Sequence, residues 1–291
     1  MKFTADRDGP LLDLLQEQHP QSSKTTLRSW VKEGRILVDQ RPAKKANQEI
    51  VSGQQIELGT KKKFLPQGIE VLYDDAHITV IHKPERLLSV STDFDQENTA
   101  HAILKDYYYP KKVFVVHRLD QDTSGVMLFA LKEEACEELK KMFEAHSLKR
   151  SYTAIVEGHF KEKQGTWKSY LFEDSNYVVH SSQDPKRGKL AITHYQVDGT
   201  SKRYSLLDVT LETGKKNQIR VHCSEAGHPI VGDKKYGAET NTIRRLCLHA
   251  YALSFEHPVT KKHLTIRSLV PEKFYQLVKP GLKGCTKTKS G

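Results

Sequence analysis

A dense polar segment between two apolar runs is the first place in this sequence where chemistry could occur. Residues 117–125 read HRLDQDTSG, with the apolar runs Val113–Val116 and Val126–Leu131 on either side. These runs have the length and composition of buried strands, and loops held by rigid strands are where catalytic groups concentrate. One short loop therefore presents carboxylates, a guanidinium, an imidazole and two hydroxyls.

Three interpretations of this loop are open from residue types alone. Arg118 and Asp120 could form a structural ion pair with capping residues around them. Asp120 and Asp122 could bind a divalent cation, as a metal-dependent nuclease would require. Asp120 could instead act as a base or a nucleophile. The residue types do not choose among these.

A second polar segment, TGKKNQIRVH at residues 213–222, places cations near the predicted start of a helix. Asn217 is a suitable N-cap, and Lys215, Lys216 and Arg220 lie within one turn of that terminus. The helix macrodipole is positive there, so each cation is disfavoured by typically about 0.3–1 kcal/mol. A compensating anion is expected, either a substrate phosphate or a buried carboxylate such as Asp120. A solvated cluster is the alternative.

Strand-like and helical runs follow one another irregularly from residue 69 onward. The predicted strands are Ile69–Tyr73, Ile78–His82, Val113–Val116, Val126–Leu131, Tyr152–Glu157, Ala191–Val197, Leu206–Leu211 and Leu264–Ile266. The predicted helices are Glu97–Tyr107, Glu133–Ala145, Gln218–Ala226 and Glu272–Val278. This irregular order predicts an α+β fold with a mixed, largely antiparallel sheet rather than a doubly wound parallel one.

A smaller α/β region precedes this sheet. A short helix is predicted from Leu11, Leu12, Leu14 and Leu15. A second helix begins near Ser22 or Ser23 and reaches Gly34. The strands Ile36–Val38 and Gln55–Leu58 follow, with Arg41-Pro42 near a turn between them.

The second of these helices carries a basic stripe, Lys24, Arg28 and Lys32, with Arg35 just beyond. Like charges at four-residue spacing destabilise a helix by about 0.2–0.5 kcal/mol per pair. The stripe therefore gains most beside an anion such as a phosphate backbone. An ordinary solvated face is the alternative.

Composition limits the class of protein. The fractions of hydrophobic (37%) and charged (28%) residues are those of a soluble globular protein. The longest apolar stretch, Val126–Leu131, is far shorter than the roughly 20 residues of a membrane-spanning helix. The four cysteines are scattered without zinc-site spacing, which argues against a cysteine zinc site or a disulfide scaffold and favours the cytoplasm.

The net charge of +10 points toward nucleic acid. Much of the excess lies in Lys61–Lys63 and in the lysine-rich tail. Together with the Gly and Pro residues between 59 and 68, this divides the chain into a domain over 1–60, a basic linker over 61–67, a large domain over 68–280 and a basic tail over 281–291.

Five segments in order resemble the RluA family of pseudouridine synthases. HRLDQDTSG matches the family's H-R-L-D-x-x-T-S-G signature. The others are His82-Lys83-Pro84 through Val90, KRSYTAIVEG at 149–158, NQIRVHCSEAGHPIVGDKKYG at 217–237 and LHAYALSFEHP at 248–258. Arg86 stands where the family usually has Gly, and Lys215, Lys216 and Asn217 replace a common R-T-H. These departures bear on the substrate more than on the reaction. Residues 8–60 resemble an S-four-type RNA-binding domain.

The resemblance implies isomerisation of uridine to pseudouridine in structured RNA, without cofactor or metal. The base would leave carbon 1′ of its ribose, rotate and rejoin through carbon 5. Asp120 would be the essential carboxylate and Arg220 its ion-pair partner. Tyr152 would stack on the extruded uracil and assist removal of the carbon 5 proton, while Arg118 would support the RNA beside the cleft. The base must leave its stack, at a cost of about a few kcal/mol.

The RNA target is less determined than the reaction. The N-terminal domain favours ribosomal RNA, with transfer RNA as the alternative, and no membrane or obligate protein partner is indicated. Two rival functions remain: a metal-dependent nuclease that uses Asp120 and Asp122, and a non-catalytic RNA-binding or ribosome-assembly protein. The nuclease predicts strand cleavage, and the binding protein predicts no pseudouridine.

Overall fold

A computed structural model of the protein describes residues 2–39, 41–59, 63–91 and 97–278. The chain forms two compact units, Met1–Phe64 and Leu65–Gly291. Within the described ranges, no helix is long and apolar enough to cross a membrane. The predicted basic tail and two of the three linker lysines, Lys61 and Lys62, lie outside the described residues.

The first unit is a small sheet packed by two helices. Its strands are β1 Lys2–Thr4, β2 Gly9–Pro10, β3 Ile36–Val38, β4 Arg41–Pro42, β5 Glu49–Ile50 and β6 Gln55–Leu58. Its helices are α1 Leu11–Gln18 and α2 Lys24–Lys32. The order β1-β6-β3-β4 is antiparallel throughout, and β2 pairs with β5. The core forms where the leucines of α1 pack against Leu27 and Val31 of α2.

Local sequence accounts for where α2 begins and ends. The Ser23 hydroxyl accepts a hydrogen bond from the Thr26 amide at 3.1 Å, which satisfies one free donor at the start of α2. Just past its end, Gly34 adopts φ 67°, a conformation that glycine adopts without steric cost. Arg41-Pro42 lies near a turn, as predicted, and also forms the short strand β4. The chain reverses at Asp39, whose φ is 48°, so that pairing resumes at once.

The second unit is built on one large sheet. After a short strand, β7 Lys63–Phe64, and a 3-10 turn at Pro66–Gly68, its strands are β8 Glu70–Asp74, β9 Ile78–Lys83, β10 Phe114–Val115, β11 Ser124–Ala130, β12 Lys149–Glu157, β13 Gln164–Glu173, β14 Val179–Ser182, β15 Lys189–Thr200, β16 Tyr204–Leu211, β17 Leu248–Glu256 and β18 His263–Arg267. Its helices are α3 Ala100–Tyr108, α4 Glu133–Glu144, α5 Gln218–Glu225 and α6 Glu272–Val278.

The strand order is β14-β13-β15-β16-β12-β17-β11-β9-β8, with β10 on β11 and β18 on β17. Every pairing in this path is antiparallel except that of β11 with β17. The prediction of an α+β fold with a mixed, largely antiparallel sheet is confirmed. Among the strands of this path, β13, β14 and β17 were not predicted.

Strand β11 is the central support of the polar loop before it. All seven of its residues are buried, because Met127 and Phe129 pack on one face of the sheet while Val126 and Leu128 pack on the other. This two-sided burial explains its continuous apolar run. At its start, Gly125 has φ 125°, and a side chain there would lie 2.1 Å from the Ala250 carbonyl oxygen. Glycine is therefore required where β11 meets β17.

Candidate active site

The loop that carries Asp120 is fixed by hydrogen bonds on both sides of that residue. On one side, the Ser89 hydroxyl donates to the Leu119 carbonyl at 2.6 Å and accepts from the Leu119 amide at 3.1 Å. On the other side, Lys83 Nζ donates to the Gln121 carbonyl at 2.9 Å. The Thr123 amide closes the turn on the Asp120 carbonyl at 3.1 Å. The backbone of Asp120 is therefore held in one position before any substrate binds.

Lys83 is the most deeply buried cation of this region, with no exposed surface. Besides Gln121, its ammonium donates to the carbonyls of Pro84 at 2.9 Å and Leu87 at 2.7 Å. Burial lowers the pKa of Lys83 to about 7, against the opposing charges of Asp122, Asp120 and Glu85. Three acceptors require three protons, so these contacts favour the ammonium form. Lys83 thus ties the end of β9 to the loop that carries Asp120.

We expect Lys83→Met to destabilise the second unit by roughly 3 kcal/mol, because one buried and two part-buried carbonyls lose their donor. Urea unfolding followed by fluorescence would measure the change. Lys132, an exposed lysine at the start of α4, offers a matched control as Lys132→Met. Equal stability of the two variants would contradict this role of Lys83.

Arg220 connects the two polar segments of the sequence. Its Nη1 lies 3.4 Å from Asp120 Oδ2, while Nε and Nη2 donate to Asp233 Oδ2 and Oδ1 at 2.6 and 2.8 Å. The Arg220 side chain is 10% exposed and that of Asp233 is 1% exposed. Burial opposes the charge on Arg220, but hydrogen bonds and attraction from Asp233 more than offset it and raise its pKa. The main anionic partner of Arg220 is therefore Asp233, and Asp120 is its second anionic partner.

Asp120 itself lies in an environment that resists its charge. Burial raises the pKa of the Asp120 carboxyl, Arg220 lowers it by charge and hydrogen bonding, and repulsion from Asp233 raises it again, so that the net shift is upward. The guanidinium limits this rise but does not hold the pKa below its usual range. Arg220 was predicted to be the ion-pair partner of Asp120. The structure shows that contact, but Asp233 accepts hydrogen bonds from the other two donor nitrogens of the arginine.

Tyr152 lies in the middle of β12, opposite Val209 and Ala250 on the neighbouring strands. It is 8% exposed and lines the same cleft as Asp120. Burial raises the pKa of the Tyr152 hydroxyl to about 12, with Arg150 lowering it and Asp120 raising it. The phenol is therefore protonated at neutral pH. No described residue hydrogen-bonds its hydroxyl, which leaves that group available to a substrate.

The cleft has a volume of ≈ 1280 Å³, large enough for a nucleotide and its neighbours. Asp120, Arg220 and Tyr152 line it, and so do Leu211, Ile219 and Leu248, which supply an apolar wall. Arg118 lines the cleft with an exposed side chain. The structure thus brings the three predicted catalytic residues into one opening.

The predicted RNA-binding lysines of the second segment lie on the rim of this cleft. Lys216 pairs with Glu173 and its ammonium lies 5.6 Å from the ring centroid of Tyr177, which is 73% exposed. Lys215 is half-buried, and its amide donates to Gln218 Oε1 at 2.9 Å. Both cations line the cleft that contains Asp120.

Asn217 does stand at the N-cap position of α5, but its side chain does not cap the helix. It adopts φ 54°, and its amide donates to the Tyr236 hydroxyl at 2.9 Å while its oxygen accepts from Arg220 Nη1 at 3.1 Å. Asn217 thus orients the arginine, and the Gln218 side chain accepts from the Lys215 amide, which lies before the helix.

The basic stripe belongs to the other unit. Lys24, Arg28 and Lys32 are exposed on α2. Arg35 is half-buried: its guanidinium carbon lies 5.2 Å from the Trp30 ring centroid, and its Nε donates to the Gly59 carbonyl at 3.3 Å. Three of the four predicted residues therefore have side chains exposed to solvent, whereas Arg35 packs against the Trp30 ring.

Residue types alone missed the contacts of Asp233 and Lys83 with this site. Asp233 stands within a motif already noted, and the excess of cations near α5 was the signal that a buried carboxylate must exist. Within the described chain, no group of three or more His, Cys, Asp or Glu side chains could hold a metal ion. Asp120 and Asp122 therefore belong to no larger cluster of metal-ligating side chains there.

Comparisons with known proteins agree with this geometry. A family model described as RNA pseudouridylate synthase matches residues 77–225, and an S4 domain model matches residues 9–56. The ribosomal large subunit pseudouridine synthase D of Pseudomonas aeruginosa is 35% identical over 303 residues, covering 93% of this chain and 91% of its own. The uncharacterized RNA pseudouridine synthase YhcT of Bacillus subtilis is 31% identical over 279 residues, with 91% of each chain covered.

Two solved human structures share the fold. Human RNA Pseudouridylate Synthase Domain Containing 1 superposes with a TM-score of 0.60 at 24% identity, covering 72% of this chain and 86% of its own. Human RNA Pseudouridylate Synthase Domain Containing 4 gives 0.59 at 22% identity, covering 71% and 90%.

Proposed function

Because the chain belongs to the RNA pseudouridylate synthase family, it is an isomerase that acts on RNA, and we propose that it converts specific uridines of large-subunit ribosomal RNA to pseudouridine through Asp120. The contact of Asp120 with Arg220 beside Tyr152, in a cleft that admits a nucleotide, is the observation that carries the assignment of residues. The ribosomal target is supported by relatives named for the large ribosomal subunit.

In the proposed reaction the bond between N1 of uracil and C1′ of ribose breaks, and a bond between C5 and C1′ forms. The proton on C5 leaves and a proton is gained at N1, so atoms balance without a donor or an oxidant. Two roles are open to Asp120: attack on C1′, or assistance to proton removal at the sugar. Both require the carboxylate form.

The other cleft residues would position this step. Arg220 would limit the upward shift of the Asp120 pKa, and the ring of Tyr152 would stack on the extruded uracil. The apolar wall would cover the base while it rotates. We also infer that the unit before residue 61 holds RNA, that residues 68–280 carry the chemistry, and that the enzyme works in the cytoplasm, where ribosomal RNA is available.

Mapping pseudouridines in total RNA from cells with and without the gene tests the proposal. We expect at least one large-subunit uridine to lose its modification and to regain it with the wild-type gene but not with an Asp120→Ala gene. Loss confined to transfer RNA would refute the ribosomal target. Magnesium-dependent strand cleavage by the purified protein would favour the nuclease, and binding with unchanged modification everywhere would favour the non-catalytic protein.

The Tyr152 hydroxyl is expected to matter for turnover and its ring for binding. Tyr152→Phe should keep RNA affinity within about twofold and slow proton loss at C5 by about a hundredfold, the lower range for a lost acid or base. Tyr152→Leu should weaken binding as well, because base stacking is lost. Tritium release from RNA labelled at C5 measures turnover, and filter binding measures affinity. Full activity of Tyr152→Phe would assign the residue to stacking alone.

The basic stripe of α2 is expected to bind phosphates. Changing Lys24, Arg28 and Lys32 together to Glu should weaken RNA binding by at least about tenfold at 0.1 M salt and flatten its salt dependence. The double change Lys44→Glu and Lys45→Glu, at exposed lysines elsewhere in the same unit, is the control. Equal losses in both proteins would show that only total charge matters.

A further inference from the structure

Arg150 is a buried cation in the cleft that no described carboxylate neutralises. It lies in β12 two residues before Tyr152 and is 8% exposed. Its Nη2 donates to the Glu212 carbonyl at 2.8 Å, and its guanidinium carbon lies 5.8 Å from the Phe143 ring centroid. Its Nε is buried without a hydrogen-bond partner among the described residues. Arg150 lines the same cleft as Asp120.

Burial of an unpaired guanidinium is unfavourable, because water is lost and no opposite charge replaces it. Two other largely buried arginines among the described residues of this unit follow the usual rule: Arg220 pairs with Asp233, and Arg245 pairs with Glu85 at 2.8 Å. Arg150 departs from that rule inside the catalytic cleft. A missing counter-charge in such a place is expected to come from the ligand.

The ionisable neighbours of Arg150 do not supply that charge. His117, which stacks on Phe143 with 4.8 Å between ring centroids, is neutral, because burial and Arg150 lower its pKa to about 3. Tyr152 is a protonated phenol at neutral pH. The guanidinium therefore lies over the uncharged Phe143 ring and donates to a backbone carbonyl, and its ionisable neighbours His117 and Tyr152 are neutral.

The chain before α5 is shaped to leave room for this guanidinium. A side-chain carbon at Gly214 would lie 2.1 Å from Arg150 Nη1. Nη1 makes no hydrogen bond with any described residue, so its donors are available in the opening beside Gly214. Lys215 and Lys216 follow directly along the rim, which extends the positive charge outward from Arg150.

We propose that Arg150 binds a phosphodiester group of the RNA next to the target uridine. This rests on the proposed function, because it takes the cleft to hold RNA. A phosphate carries the full negative charge that the site lacks, whereas a uracil carbonyl would leave the cation uncompensated. The planar fork of an arginine also suits two phosphate oxygens. The residue thereby acts on substrate position, and Asp120 acts on the bond.

The salt dependence of binding tests this inference. Each neutralised phosphate adds about 0.7–0.9 to the slope of log affinity against log salt concentration. The full-length protein, with Asp120→Asn to prevent turnover, is titrated into an unmodified transcript of large-subunit ribosomal RNA from 50 to 400 mM KCl. We expect Arg150→Gln to weaken binding about tenfold at 0.1 M and to lower the slope by about one contact, about 0.7–0.9.

Two further variants separate phosphate binding from packing. Arg150→Lys keeps the charge and should keep the slope, although it loses the fork. Gly214→Ala should displace the guanidinium and reproduce the lower slope with the arginine still present. Arg203, an exposed arginine that does not line the cleft, serves as the matched control as Arg203→Gln, with the slope unchanged. Thermal unfolding monitored by circular dichroism confirms that each variant is folded.

Weaker binding of Arg150→Gln at an unchanged slope would overturn the inference, because it would indicate a neutral contact such as a uracil oxygen. An unchanged affinity would overturn it as well. Failure of the proposed function is a separate result: the wild-type protein would form no pseudouridine in the same transcript, while the slopes would still report whether Arg150 contacts phosphate.

Discussion

The Asp120→Asn protein is expected to bind RNA as tightly as the wild type and to form no measurable pseudouridine. Asparagine keeps the size and hydrogen-bonding reach of the side chain but can neither attack carbon nor accept a proton. We expect turnover to fall by at least about a thousandfold, with affinity within about threefold. Tritium release from C5-labelled RNA and filter binding on the same preparation measure the two quantities.

Asp122→Asn is the matched control for this prediction. Asp122 lies two residues further along the same loop and is exposed. A pair of aspartates that held a divalent cation would require both, so both changes would abolish activity. We expect Asp122→Asn to retain activity within about fivefold. Near-normal turnover of Asp120→Asn would remove Asp120 from the mechanism.

The Asp120→Asn substitution should not destabilise the protein. The pKa of Asp120 is raised in the folded state, first by burial and then by Asp233, so the ionised form costs stability at any pH above that pKa. Asparagine removes this cost. We therefore expect the unfolding temperature of Asp120→Asn at pH 7 to equal or exceed that of the wild type, and the difference to disappear as pH falls and the wild-type carboxyl becomes protonated.

Periodicity predicted the parts of the fold whose burial is simple. The apolar run Val126–Leu131 reads as a buried strand because β11 is covered on both faces, and the helix predicted over Glu133–Ala145 is observed as α4. Strand β17 was missed because its sequence, LHAYALSFE, includes His249, which is fully buried and hydrogen-bonded to Ser124 at 2.8 Å. A polar side chain in that position interrupts the apolar pattern, although Ser124 provides a hydrogen-bond partner for its Nδ1.

The start of β12 shows a similar limit. The strand was predicted from Tyr152, but it begins at Lys149 and includes the buried residues Arg150 and Ser151. Pattern alone treats an arginine as exposed. Only the structure reveals that a cleft, the ring of Phe143 and the absent side chain of Gly214 accommodate it. A charged residue that is buried beside a cleft is missed by sequence patterns in which only apolar core residues count as buried.

The relation of Asp120 to Arg220 followed from the resemblance, but the place of Asp233 did not. The two aspartates lie 113 positions apart and meet through one guanidinium. Sequence reasoning found too many cations near α5 and sought one anion. The structure supplies two for Arg220 and a third, Glu173, for Lys216. The division of the arginine's donors between Asp120 and Asp233 sets how far the Asp120 pKa can rise.

Loss of Arg220 should affect stability and activity through different partners. In Arg220→Met, the buried Asp233 loses its counter-charge, so we expect the free energy of unfolding to fall by about 3–5 kcal/mol. Asp120 loses its cation at the same time and its pKa rises further. Activity should fall by at least about a hundredfold at pH 7 and recover in part as pH increases, because the carboxylate form is then restored.

The double variant Arg220→Met, Asp233→Asn separates these effects. Removal of both partners of a buried ion pair costs far less stability than removal of one, so its unfolding free energy should return close to that of the wild type. Its activity should stay low, because Asp120 still has no cation. Urea unfolding and tritium release across pH 5–9 measure both quantities. A double variant that recovers activity together with stability would show that Arg220 serves the fold alone.

Asp233→Asn by itself should shift the pKa of Asp120 in the direction opposite to that expected for Arg220→Met. Repulsion from Asp233 is one of the causes that raise the pKa of Asp120, and its removal leaves Arg220 with Asp120 as its remaining charged partner. The pKa of Asp120 should therefore fall, and the acidic limb of the pH–rate profile should move to lower pH than in the wild type. A limb that moved to higher pH would contradict the arrangement in which one guanidinium is shared between a structural and a catalytic carboxylate.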